Sequence, residues 1–171
     1  VGHLYLQGLF KPNQTFFHWR IEGLAFYGDA KFFVDEGRKT FRLRSIVEHL
    51  KTKGIGFFDT ALAVRRLADN ASDKFLEVVE PTDIRALVGH HPELKAIVTT
   101  GEKATETIAL SLGMTNAKGR AVLPDVGTAL PSPIEGVELY RLPSSSRAYP
   151  MPLTKKAEAY ARMFSRYLLK L

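Results

Sequence analysis

Along the chain, short apolar runs of strand length alternate with stretches whose apolar side chains recur every three or four residues. That alternation predicts an α/β domain built on a mainly parallel sheet. "HLYLQGLF" (3–10) reads as a first strand, and "FFHWRIEGLAF" (16–26) as a helix that Gly28 stops. "RSIVEHLKTKG" (44–54) predicts a second helix ending at Gly54, and "GIGFFDTALAV" (54–64) a buried strand running out into a loop. Pro81 sits where the first turn of a helix accepts proline, with Ile84, Leu87 and Val88 on one face behind it. "LKAIVTTG" (94–101) predicts a strand reaching a tight turn, and "EKATETIALSLG" (102–113) a helix that Gly113 closes. Residues 114–136, rich in Gly and Pro, predict an irregular excursion with a short strand at "RAVL"; "GVELYRL" (136–142) is the last strand. The final helix takes Thr154 as N-cap and carries Ala157, Tyr160, Ala161, Phe164, Tyr167 and Leu168 on its apolar face.

Composition narrows the class. At 171 residues and 45% hydrophobic, the chain matches a single domain over 1–171, large enough to bury a core. Cysteine is absent, which excludes disulfides, thiolate zinc sites, cysteine nucleophiles and cysteine-held iron–sulfur clusters. No apolar run approaches the roughly 18 residues of a membrane span, and no basic-then-apolar leader is visible, so the expectation is a soluble, cytoplasmic protein. The excess of 24 basic over 18 acidic residues favours a polyanionic partner through counterion release. "LYLQG" (4–8) is close to the remnant of a protease-cleavable tag, which leaves the natural start of the chain open.

Ligands of open parallel sheets gather at the carboxyl ends of the strands, where loops and helix N-termini meet. Three such ends are "FFDTA", "TTGEK" and "LPSSSRAYP". Taken singly the first two are ordinary: Asp59 reads as a turn cap, and Thr99, Thr100 and Gly101 as the start of a helix. The third is different, because three serines between prolines offer hydroxyls and amides to phosphate oxygens while Arg147 adds charge and Tyr149 a stacking face. Trp19, with Phe16 and Phe17 on its helix, reads first as core and second as a stacking platform. His18 beside it reads as structural or as a donor to a leaving group. Lys155, Lys156, Arg162 and Arg166 read as a solvated face, with Lys155 and Lys156 near enough to the serine loop to reach phosphate. His90 and His91 sit at a helix end, where positive charge suits the dipole, and neither makes a metal set.

In order, "GIGFFDTALAVRRLADNASDKFLEVVEPTDIRALV", "AIVTTGEKAT" and "LPSSSRAYPMPLTKKAEAY" resemble the uracil-DNA glycosylase superfamily. The nearest branch is the cluster-free bacterial one related to hypoxanthine-acting and mismatch-type glycosylases, and the likeness covers residues 9–164. It implies a three-layer αβα sandwich around a central, largely parallel four-stranded sheet. It further implies a monomeric, monofunctional enzyme of base-excision repair that binds single- or double-stranded DNA, flips a deaminated base and hydrolyses its N-glycosidic bond without metal or organic cofactor. By that resemblance Ser144, Ser145 and Ser146 pinch backbone phosphates, and Arg147 and Tyr149 enter or flank the gap left by the base. Gly101, Lys103 and Lys155 add DNA contacts; Phe57, Phe58, Thr100 and Trp19 form the base pocket; Asp59 and Asn13 position water or counter the sugar cation. Thr100 stands where relatives place an amide side chain, so uracil recognition by a two-sided amide is missing. Relatives also carry a Gly/Pro-rich loop after the first strand and an Asn where this chain has Phe16. These departures motivate the alternative of a non-catalytic nucleic-acid-binding relative. A third reading is an enzyme acting on free nucleotides.

Overall fold

The structure, a computed structural model, describes residues 4–6, 12–66 and 76–168. In chain order the elements are β1 (Leu4–Leu6), α1 (Pro12–Tyr27), β2 (Val34–Asp35), β3 (Thr40–Phe41), α2 (Leu43–Lys53), β4 (Ile55–Phe57), β5 (Ala61–Arg66), β6 (Leu76–Pro81), α3 (Ile84–Gly89), β7 (Ala96–Thr100), α4 (Glu102–Leu112), β8 (Thr128–Pro131), β9 (Glu138–Leu142) and α5 (Leu153–Tyr167).

The main sheet has the order β4-β1-β7-β9-β8. β1 pairs in parallel with β4 on one side and β7 on the other, and β7 pairs in parallel with β9. β8 closes the edge antiparallel to β9, so the sheet is mixed and five-stranded, which corrects the expected four largely parallel strands. Residues 4–6, whose sequence resembles a tag remnant, thus form the strand between β4 and β7.

The run of buried residues along β7, from Ala96 to Thr99, reflects cover on both faces of the sheet. Side chains alternate between the faces with period two. Ala96 and Val98 of β7, with Tyr140 and Leu142 of β9, join Ile21 of α1 and Tyr160, Met163 and Phe164 of α5. Ile97 and Leu139 point the other way, toward Ile84 and Val88 of α3 and Ile108 and Leu112 of α4. A third cluster, Trp19, Phe33, Val34 and Ile46, fills the space between α1, α2 and the β2–β3 hairpin.

Several local expectations hold for their stated reasons. Gly54 and Gly113 close α2 and α4 in the left-handed conformation, which favours glycine. Others are corrected. Residues 61–66 do not run out as a loop from a buried strand: β5 turns away from the main sheet and pairs antiparallel with β6 in a separate ribbon, where Leu62, Val64 and Val79 are exposed. Pro81 ends that ribbon opposite Ala61 instead of starting a helix; a strand end needs no N–H from it. α3 is started by Asp83, whose side chain accepts from the Ala86 amide at 3.0 Å. Residues 120–123 contribute only an isolated bridge, Thr115 to Ala121, and the strand of the Gly/Pro-rich excursion is β8. Thr154 is not the N-cap of α5, because the helix already begins at Leu153 behind Pro152. Lys156 leaves the predicted solvated face altogether and is fully buried. Among the described residues no helix is long and apolar enough to cross a membrane.

Candidate nucleic-acid interface at the strand ends

Because β4, β1, β7 and β9 run in the same direction, their carboxyl ends share one edge. The register carries this through Phe57 opposite Leu6, Leu6 opposite Val98, and Thr100 opposite Leu142. At about 4.8 Å per strand, the ends of β4 and β9 lie about 14 Å apart, a span that two or three nucleotides of backbone cover. The segments "FDT" after β4, Gly101 after β7 and 143–149 after β9 therefore leave from a common rim.

The last two of these segments touch. Gly101 holds φ +86°, and its amide donates to the Leu142 carbonyl at 3.1 Å. A Cβ built on Gly101 would stand 3.3 Å from Cβ of Ser144. Only glycine combines that backbone with that approach, so Gly101→Ala is expected to cost about 1–3 kcal/mol and to push the serine loop off α4. Urea unfolding gives the first effect, and weaker oligonucleotide binding by the still-folded fraction gives the second.

Within the loop Ser144 and Ser146 are tied to backbone. Ser144 Oγ accepts from the Ser146 amide and Ser146 Oγ from the Ala148 amide, each at 3.2 Å. Each hydroxyl that accepts in this way keeps its own proton to donate outward, which suits an anionic guest. The Ser146 carbonyl accepts from the Tyr149 amide at 3.1 Å and from Lys156 Nζ at 2.6 Å. Arg147 is exposed, as are Asp59 and Phe58, whereas Thr100 and Tyr149 are half-buried. Asp59 is tethered through its main chain: Thr82 Oγ1 donates to its carbonyl at 2.6 Å, fixing the rim segment to the root of the β5–β6 ribbon. Lys103 and Lys155 are paired along their own helices with Glu106 and Glu158, at 3.3 and 2.9 Å. Such surface pairs are weak and exchange readily for phosphate.

Not every predicted residue joins the rim. Trp19 is only 2% exposed, edge-on to Phe33 and packed on Phe57, so it is a core residue and is withdrawn from the base pocket. Phe57, at the end of β4, forms the boundary between that core and the rim, with the rings of His18 and Trp19 behind it at 5.3 and 5.4 Å. Asn13 falls in the first turn of α1, and its side chain, like that of Phe16, lies outside the described residues.

His18 takes the structural of its two readings. It is buried and its Nε2 donates to Glu22 Oε1 at 3.0 Å. His49 of α2 brings its own Nε2 within 3.3 Å of Glu22 Oε2, close enough to pair though poorly aligned for a hydrogen bond. The carboxylate can only accept, so the proton of a neutral His49 belongs on Nε2, which leaves Nδ1, 2.9 Å from the Tyr27 hydroxyl, to accept from it. Burial pushes the Glu22 carboxyl up, but the two imidazoles outweigh it and hold the group below the ordinary glutamate range. The sequence predicts no such cluster, and it places Lys156 near the serine loop but not buried. The i, i+4 spacing of His18 and Glu22 was a signal for the first, and position 156, four residues before Tyr160, for the second.

A mixed α/β sheet with helices on both faces and a loop-built rim at its strand ends defines the class. The sequence matches no protein-family model and no curated protein. Its fold is similar to the solution NMR structure of a protein from Methanosarcina acetivorans that carries a provisional uracil DNA glycosylase assignment. The TM-score is 0.57 and the identity 23%, over 96% of this chain and 91% of that one.

Proposed function

We propose that the protein is a DNA glycosylase that binds DNA along the strand-end rim, flips a deaminated base of the uracil or hypoxanthine type and hydrolyses its N-glycosidic bond. The observation that supports this reading most is the joining of the serine loop to Gly101 on the edge from which Phe57, Phe58 and Asp59 also emerge. The fold shared with the Methanosarcina protein, whose name carries the same activity, points the same way. A largely parallel αβα core acting as a monomer in the cytoplasm fits this reading.

Extruding a base costs a few kcal/mol of lost stacking and pairing, so the enzyme needs a grip on the flanking phosphates. Ser144, Ser145, Ser146 and the Gly101 segment supply donors, Lys103 and Lys155 supply charge, and Arg147 with Tyr149 fills the vacated space. Phe57 and Phe58 wall the base, and the Thr100 hydroxyl meets its polar edge. As the bond between base nitrogen and sugar carbon breaks, its electron pair leaves with the base and positive charge grows on the sugar. Asp59 stabilises that charge and, with Asn13, orients the water that adds to the sugar carbon; one water proton stays on the new sugar hydroxyl and the other passes, through Asp59 or solvent, to the departing base.

The test is release of free base from single- and double-stranded oligonucleotides carrying uracil, hypoxanthine or xanthine. No release from any of them by the full-length protein overturns the reading. In the same assay Arg147→Ala should weaken binding and make the slope of log affinity against log salt shallower by about 0.7–0.9, the loss of one phosphate contact. A second reading, a non-catalytic binder, is motivated by Phe16 and the missing Gly/Pro loop. Salt-sensitive binding that Arg147→Ala weakens, with no base released, selects it.

A further inference from the structure

Lys156 is fully buried, yet among the described residues no carboxylate pairs with it. It lies one loop below the surface, with its ammonium 5.0 Å from the ring centre of Phe17 and 5.4 Å from that of Tyr149, and it donates to the Ser146 carbonyl. Burial pushes the ammonium below the ordinary lysine range. A cation in this position is costly to desolvate, and an apolar side chain of similar volume would fill the space more cheaply. Two aromatic faces and one charge-assisted hydrogen bond offset part of that cost. What the ammonium does to the loop explains its presence.

In a trans peptide the carbonyl and the following N–H point in opposite directions. Nζ draws the Ser146 carbonyl inward, so the Arg147 amide is turned outward, and among the described residues nothing accepts from it. The same carbonyl takes the Tyr149 amide, so one interaction sets the turn that carries Arg147 and Tyr149 together. The positive charge thus lies on the inner side of the peptide whose amide faces outward.

We propose that Lys156 is the positioning residue of the 144–149 loop, holding it in the form that accepts an anionic phosphodiester oxygen on the Arg147 amide. The DNA-binding part of this inference rests on the glycosylase reading; the loop-ordering part does not. Lys156→Met and Lys156→Arg separate the two. With folding checked by circular dichroism, Lys156→Met should speed trypsin cleavage of the Arg147–Ala148 bond by about fivefold or more as the loop opens locally. It should weaken binding of a single-stranded oligonucleotide by about tenfold or more, with a shallower salt dependence, and Lys156→Arg should recover most of both. A folded Lys156→Met protein cleaved at the wild-type rate overturns the proposal whatever its affinity for DNA. If the unsubstituted protein does not bind DNA, the glycosylase reading falls and the cleavage rates still decide the role of Lys156. If Lys156→Met does not fold, the unsubstituted protein decides. On titration with inorganic phosphate the Arg147 amide resonance should move with those of the loop serines, and an Arg147 amide that stays still overturns the proposal.

Discussion

Asp59→Ala is expected to slow base release by about a hundredfold or more while leaving oligonucleotide affinity within about threefold. The side chain is exposed on the rim, and the segment is held through its main-chain bond to Thr82, which alanine retains. Truncation therefore removes the carboxylate without releasing the loop. A group that acts only as the sugar becomes positive has no ground-state charge to bind, so its loss appears in turnover. Ser145→Ala should give the reverse, weaker binding with nearly unchanged turnover at saturation. Single-turnover kinetics against substrate concentration separates the two parameters, and equal losses in both parameters for both variants would remove this division of labour.

Glu22→Ala is expected to cost about 3–5 kcal/mol of folding stability, because it leaves two buried imidazoles facing an empty site between α1 and α2. Glu22→Gln, which keeps the volume and one acceptor, should cost less. The folded carboxyl lies below its ordinary value of 4.5, so its ionised form is favoured by folding. Its contribution is complete above about pH 4.5 and is lost as the pH falls through the lower folded value. Urea unfolding followed from neutral pH into the acid range should show a steep acid limb in the unsubstituted protein and a flatter one in Glu22→Ala. Parallel limbs would mean that the carboxylate is not what the histidines stabilise.

These two residues show how differently fold and site can be read from a linear chain. Asp59 follows an apolar run at a predicted strand end, so its place at a rim was legible once the sheet was expected to be parallel. Glu22 lies within the predicted helix over 16–26, and its partner His49 is 27 positions away in another helix. No local rule joins them. The β5–β6 ribbon was missed for a related reason. "ALAV" has the composition of a buried strand, but it pairs with residues 76–81 away from the main sheet, and exposed Leu62 and Val64 are the result. Trp19 took the first of its two readings, packed against Phe33 and Phe57 in the core, whereas Lys156 left its expected solvated face for two rings and a carbonyl under the serine loop.

By itself the sequence determined the alternation of strands and helices, the glycines that end α2 and α4, and the three loops that carry candidate chemistry. All of these depend on residues within a turn or two of each other, where backbone preference and side-chain period act directly. Only the tertiary structure decided that β8 runs antiparallel, that Gly101 and Ser144 touch, and that a buried ammonium sits beneath the serine loop. Those features depend on contacts between segments tens of residues apart, whose cost in chain entropy is recovered only when the whole core closes around them.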